Sequence, residues 1–272
     1  MSQRHRFWDF AVLALLSLYA VPYAWQLLTS LKPEAELLQL PPLLPSRFTL
    51  EHYHVVFTQS ALPRALGNSL AVAVMTTGLV VSLGLLAAYA IARLPVPAKG
   101  WLLLGVVAAT AFPQIATVSP LFLLMRAFAL RDTWTALVLA HTALGLPLVI
   151  WLLAGFIREI PVELEQAAAI DGAARAQVLR WIVLPLVAPG AASVALLTFL
   201  ASWNEFLYAY TFSATEASRT APVALALFPG VFEVPWGDIA AASILASLPP
   251  VIIVLALQRY LVRGLLAGAL RE

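Results

Sequence analysis

The sequence predicts an all-α, polytopic membrane protein with six transmembrane helices. Two observations predict it. Hydrophobic residues make up 62% of the 272 positions and charged residues only 11%, a balance outside the range of soluble domains. The apolar residues also gather into six runs, each near or above the length of about 20 residues that a helix needs to cross the hydrocarbon core. Lipid offers no partner to an unpaired backbone group, so each crossing must close its hydrogen bonds within a helix.

The spans follow in order. The first, Phe10 to Leu31, comes after Arg4 and Arg6 and is stopped by Lys32-Pro33. A signal peptide is the competing reading, but the run is too long for such a segment and no clear small-residue cleavage site follows it. The second, Ala65 to Ala92, ends at Arg93. The third, Gly100 to Met125, and the fourth, Trp134 to Ile157, are free of acidic residues. Pro189 to Phe212 forms the fifth and holds Glu205, the one acid in any span; Ile239 to Gln258 forms the sixth. Pro22, Pro113, Pro120, Pro147, Pro249 and Pro250 fall inside these spans. Each removes an intrahelical bond; they mark either ordinary bundle packing or, at Pro113, Pro120 and Pro249-Pro250, kinks that open a cavity or hinge near mid-membrane.

Charge sets the expected orientation. With a cytoplasmic N-terminus, the inner side carries ten Arg and Lys residues and the outer side six, three of them in the long segment from Lys32 to Arg64. Positive residues favour the cytoplasmic side, and long translocated segments obey that rule weakly. Both termini are therefore expected in the cytoplasm, with the chain passing several times through the cell membrane. Trp134, Trp151, Trp181 and Trp236 lie near span ends and read as interfacial anchors.

Several chemistries are excluded. The chain has no cysteine, and Lys32 and Lys99 are its only lysines, so no thiolate metal site exists and no glycine-rich loop ending in lysine is present to cradle nucleotide phosphates. The basic residues are scattered and the net charge is +2, which excludes nucleic acid as a partner. His141 has no second ligand three or four residues away and reads as a packing residue, so no metal site is expected. No nucleophile with a base stands within the spans, so no catalytic residues are expected. A single intramembrane acid offers little to an ion-coupled secondary transporter.

The segment 158–188 is the only extended charged stretch on the inner side. Pro161 suits a first helical position, and Val162 to Ile170 holds helix formers with Glu163 and Glu165 near the positive end of the dipole. Asp171-Gly172 breaks this helix, and the Asp171 carboxylate is expected to cap a second helix running from Ala173 until Pro185 interrupts it. Next to Gln166, the run Ala167, Ala168 and Ala169 gives the first helix a small-residue surface, with Ile170 as an apolar anchor. On the residues alone it reads either as a docking surface or as a water-facing linker.

This segment resembles the EAA loop of binding-protein-dependent ABC importer permeases, in which E-A-A-x-x-x-D-G-A, or a close variant, precedes I-x-L-P. Asp171-Gly172-Ala173 and Ile182-Val183-Leu184-Pro185 match that pattern, whereas Gln166 stands where the motif has glutamate. Further words point to the carbohydrate group, and within it to the second membrane subunit of maltose and trehalose importers. They are Ser30-Leu31-Lys32-Pro33, Phe48 to Tyr53, Asn68-Ser69, Ala88 to Leu94, Asp132-Thr133-Trp134, Ser202 to Phe206, and Gly264 to Leu270. The resemblance implies a coupling helix that docks on an ATP-hydrolysing subunit. It also implies a second permease subunit, two ATP-binding subunits holding ATP and Mg²⁺, and an extracytoplasmic sugar-binding protein toward which the outer loop Thr215 to Asp238 reaches. An importer of a polyol, glycerol phosphate or peptide is the nearest alternative.

Glu205 needs a reason to lie in a membrane, since an unpaired carboxylate there costs at least about 2.5 kcal/mol. Either Trp203, Asn204, Glu205, Tyr208 and Tyr210 line a sugar passage, or Glu205 is solvated near the outer interface or bonded to a neighbouring helix.

Overall fold

The computed structural model describes residues 3–37, 42–228 and 234–269. Pro229, Gly230 and Leu270, each part of a segment singled out above, lie outside the described residues. Within them the ordered elements are all helical. The chain begins with α1 (Gln3–Ser30), the short α2 (Glu34–Leu37) and α3 (Glu51–Gln59). Then come α4 (Leu62–Arg93), α5 (Lys99–Thr110), α6 (Gln114–Ala127) and α7 (Trp134–Glu159). Next come α8 (Val162–Ile170) and α9 (Arg175–Val178), and a π-helical turn, Leu179–Val183, leads into α10 (Leu184–Trp203). The chain closes with α11 (Leu207–Phe212), α12 (Ala221–Ala226) and α13 (Trp236–Ala269).

Five stretches are long and apolar enough to cross a membrane: Trp8–Ser30, Leu62–Arg93, Trp134–Glu159, Arg175–Trp203 and Trp236–Gln258. The expected third span is not one straight helix. It is the pair α5 and α6, bent by 94°, and it makes a sixth crossing if the pair is counted as one. The break falls at Pro113, which has no N–H to donate and stands in extended backbone just ahead of α6. Pro120, Pro147, Pro249 and Pro250 lie inside continuous helices.

The expected fifth span also stops early. It ends at Trp203, and Phe212 belongs to the separate helix α11. Glu205 explains the break, because its carboxylate accepts the amide hydrogens of Tyr208 (2.8 Å) and Ala209 (3.1 Å) and so starts a new helix. First-turn amides have no intrahelical acceptor, and a carboxylate satisfies them well.

The chain divides into two compact units, residues 1–63 with 224–248 and residues 64–223 with 249–272. In the first, His52 is buried; Asp238 accepts from its Nδ1 (2.7 Å) and the Lys32 carbonyl from its Nε2 (2.9 Å). Ser30 and Tyr53 share a hydroxyl–hydroxyl bond of 2.8 Å. The Lys32 ammonium is fully buried and lies 4.1 Å above the Trp25 ring.

Among the described residues, the second unit holds a small cluster of Ala73, Phe199 and Trp203 and two larger apolar cores. One joins Val80 and Ala88 of α4, Val149, Leu153 and Ile157 of α7, and Val183, Val187 and Val194 around the start of α10. The other joins Val72, Met125, Leu137, Tyr208 and Phe212. Gly84 allows α4 to approach α7 closely, since a Cβ there would lie 2.6 Å from Val149 Cγ1. Many other large apolar residues are exposed, Phe10, Leu18, Trp101 and Ile252 among them, as a lipid-facing surface requires. Trp134, Trp151, Trp181 and Trp236 are exposed too.

Candidate functional site

The elbow between the fourth and fifth spans is built from α8, the turn at Asp171-Gly172 and α9. Pro161 stands just ahead of α8 in extended backbone, and Glu163 and Glu165 lie in the first helical turn, where the dipole favours them. The helix ends as the amides of Asp171, Gly172 and Ala173 return to the carbonyls of Ala167, Ala169 and Ala168. Gly172 adopts φ +87°, which side chains with a Cβ rarely accept.

Two expectations fail here. The second helix starts at Arg175, and its entry is held by Gln177, whose Oε1 accepts the Ala174 amide hydrogen at 2.7 Å. The expected Asp171 cap is therefore absent; Asp171 instead closes α8 and is exposed. Nor does Pro185 interrupt the helix. It sits in the first turn of α10, preceded by the π turn in which Leu184 donates to the Leu179 carbonyl. The wider turn makes room where the proline ring would otherwise strike the carbonyl four residues back.

The residues expected on the docking surface divide between two faces of α8. Glu163, Gln166, Ala167 and Ile170 follow helical spacing and are all exposed, Ile170 at 86%. Glu165 and Ala168, three residues apart, point the other way. Ala168 and Ala173 pack on the apolar core of α4, α7 and α10. Glu165 accepts hydrogen bonds from Arg93 Nε and from Tyr89 Oη (3.2 Å). Arg93, the last residue of α4, also donates through Nη2 to the carbonyls of Ile157 (2.7 Å) and Ile160 (2.6 Å) at the end of α7.

A cavity of about 210 Å³ opens within the second unit, lined by Thr76, Gln114, His141, Thr198, Ser202 and Glu205 among apolar residues of α7 and α10. His141 is buried; Glu205 accepts from its Nε2 at 3.1 Å, and Ser202 bonds its Nδ1 at 2.8 Å. Thr76 Oγ1 is buried there without a partner.

Of the five residues expected to line a passage, only Glu205 reaches this cavity. Trp203 is buried and stacks on Phe199, with ring centroids 5.8 Å apart. Tyr208 is fully buried and its hydroxyl bonds Thr117. Asn204 turns back to the Leu200 carbonyl, and Tyr210 is exposed and stacks on Phe206. The start of α11 at Leu207 separates the five, so they share no face. Sequence reasoning missed Thr76, Gln114 and Ser202, and it set aside His141 because its carboxylate partner stands 64 positions away.

A third arrangement fixes the segment after α11. Asp132, at φ +61°, accepts the amides of Ala214 (2.9 Å) and Thr215 (3.1 Å) and the hydroxyls of Thr215 (2.6 Å) and Ser218 (2.7 Å). Burial pushes its carboxyl up, but these bonds outweigh burial and hold it at about 2. Asn68 donates to the carbonyls of Glu216 and Arg219 and accepts from Trp134 Nε1, and Ser69 accepts the Ala221 amide.

Residues 80–267 match the family described as binding-protein-dependent transport system inner membrane component. The chain is 40% identical over 272 residues to the trehalose transport system permease protein SugB of Mycobacterium tuberculosis, covering 99% of each chain. It is 41% identical over 251 residues to the sulfoquinovosyl glycerol transport system permease protein SmoH of Agrobacterium fabrum, covering 92% of this chain and 88% of the other. Among solved structures, one chain of a bacterial ABC transporter involved in the import of the acidic polysaccharide alginate superposes with a TM-score of 0.80. That match has 20% identity and covers 96% of this chain and 98% of the other, a likeness of fold. A family match over most of the chain, with relatives of this similarity along nearly its whole length, places the molecule: it belongs to the binding-protein-dependent transport system inner membrane components.

Proposed function

We propose that this permease is one of two membrane subunits of an ATP-driven importer of a carbohydrate, and that the elbow from α8 to α9 is where an ATP-hydrolysing subunit grips it. The observation that carries the reading is the outward face of α8. Glu163, Gln166, Ala167 and Ile170 stand free of the bundle, ahead of a sharp turn at Gly172. Small residues let a partner approach closely, and an exposed isoleucine supplies an apolar anchor. Shape leads the grip, because Gln166 carries no charge and Glu165 is occupied by Arg93, which leaves Glu163 as the one acid of α8 on that face.

In this reading the complex holds a second permease subunit, two ATP-binding subunits carrying ATP and Mg²⁺, and an extracytoplasmic sugar-binding protein. Both termini lie in the cytoplasm, as the charge bias favours. Two relatives named for transport of trehalose and of sulfoquinovosyl glycerol favour a glycoside as the solute. Glu205 and the polar end of its cavity offer acceptors for sugar hydroxyls. Closure of the ATPase pair displaces the elbows and rocks the spans between inward and outward access.

The test replaces Gly172 with valine, a β-branched residue ill suited to φ +87°. The chain is expected to insert normally while ATPase recovery on purification weakens and solute uptake in proteoliposomes is lost. Normal recovery together with full uptake would overturn the reading.

A further inference from the structure

We propose that Arg93 is the positioning residue that makes α8 move as one body with α4 and α7, so that a displacement of the elbow reaches the spans. The inference rests on the reading of α8 as the ATPase contact.

The backbone alone does not make α8 a rigid extension of the bundle. Ile160 and Pro161 are extended, so α8 is not continuous with α7. At its other end stands Gly172 with positive φ. No residue of α8 is fully buried. A helix held between two such joints swings unless something bridges them.

Arg93 supplies the bridge. One guanidinium binds the carbonyls of Ile157 and Ile160 and the carboxylate of Glu165, and it is the terminal residue of α4 itself. Three elements therefore meet on one planar group. The two carbonyls lie at the end of α7, where the last turn lacks intrahelical donors and the dipole favours a cation. Tyr89, one turn earlier on α4, donates to the second oxygen of Glu165. The Arg93 and Glu165 side chains are only 12% and 11% exposed, and theirs is the only ion pair of α8 among the described residues. Arginine suits the place because its rigid fork serves spread acceptors at once, whereas a lysine ammonium is a compact point charge.

The test uses the assembled importer in proteoliposomes and reads ATPase recovery, ATP hydrolysis and solute uptake separately. Arg93→Met is expected to recover the ATPase subunits and still hydrolyse ATP, while uptake per ATP falls at least tenfold. Arg93→Lys is expected to fall between the two. A merely structural role lowers the amount of complex and leaves uptake per ATP unchanged, and that outcome would overturn the proposal. Should Arg93→Met fail to assemble, Glu165→Gln and Tyr89→Phe decide by the same ratio, and an unchanged ratio in both overturns it. Because the chain has no cysteine, a spin-label pair at Ala169 and Arg158 adds a second reading. The α8-to-α7 distance should stay fixed on nucleotide binding in the parent and broaden in the variants. If the parent chain recovers no ATPase subunit, the reading of α8 fails and this inference with it; an intact parent with an unaffected Arg93→Met variant sinks this inference alone.

Discussion

His141 and Glu205 meet at 3.1 Å although they stand 64 positions apart, and the carboxylate that receives the imidazole also starts helix α11. One side chain thus joins α7 to the end of α10 and determines where the fifth span stops. An acid in an apolar segment is tolerated because all its work is done within the protein: two amides and one ring nitrogen saturate most of its lone pairs. What remains open faces the cavity.

Replacing Glu205 with alanine should therefore destabilise the chain whatever its part in transport. The amides of Tyr208 and Ala209 and the Nε2 of His141 lose their acceptor, and each orphaned buried donor costs about 1–3 kcal/mol. Three such losses total about 3–9 kcal/mol, which at about 2–4 °C per kcal/mol corresponds to a fall of at least about 6 °C in the unfolding midpoint. Tryptophan fluorescence in detergent reads it directly, since the chain carries eight tryptophans. Glu205→Gln keeps one acceptor oxygen and should lose roughly half as much. A midpoint unchanged in the alanine variant would show that these bonds do not hold α11.

The sequence revealed the helices, and hid the bonds between them. Composition and run length are local properties, so the membrane helices were legible from the residues one span at a time. The break at Pro113 was legible as a proline but not as a 94° bend, because the angle depends on what packs on each side. The words Asn68-Ser69 and Asp132-Thr133-Trp134 stood out without an evident purpose. Their purpose is to pin residues 214–221, which lie some 80 to 150 positions further on. Ser30, Lys32, His52 and Tyr53 are a similar case within the first unit. On α8 the elbow was legible from Asp171-Gly172, whereas the inward turn of Glu165 was not, because Arg93 belongs to a distant word. The polar run Ser202-Trp203-Asn204-Glu205 was the one local signal that the fifth span ends early. An apolar stretch resuming at Phe206 masked it.

The Asp132 latch should respond to acid. Its carboxyl titrates at about 2 in the folded chain against an ordinary value of 3.8. A lowered folded value means that the ionised form is the one the fold prefers. The contribution is full above about pH 4 and is lost as pH falls through the folded value. Hydrogen exchange of the 213–220 segment, corrected for the intrinsic rate, should show constant protection from pH 6 to 4 and a decline toward pH 2. Asp132→Asn, with one acceptor oxygen in place of two, should show weaker protection and no such decline. Parent protection that stays flat down to pH 2 would contradict the assignment.

The contact of Gly84 with Val149 gives the last prediction. Helices in a membrane gain little from the hydrophobic effect and depend on close backbone approach, which small residues permit. An alanine methyl at position 84 would sit 2.6 Å from Val149 Cγ1 and 3.5 Å from its Cβ. Valine cannot turn aside, because branching at Cβ restricts its rotamers in a helix. Gly84→Ala should therefore force α4 and α7 apart and cost about 1–3 kcal/mol. Val149→Ala alone opens a void and is also destabilising. In the double variant the new methyl occupies the space the valine left, so the two losses should not add. A double-mutant cycle on the unfolding midpoint measures that difference, with a coupling of about 0.5–3 kcal/mol for residues in contact. Simple additivity would mean that the two helices do not meet at this pair of residues.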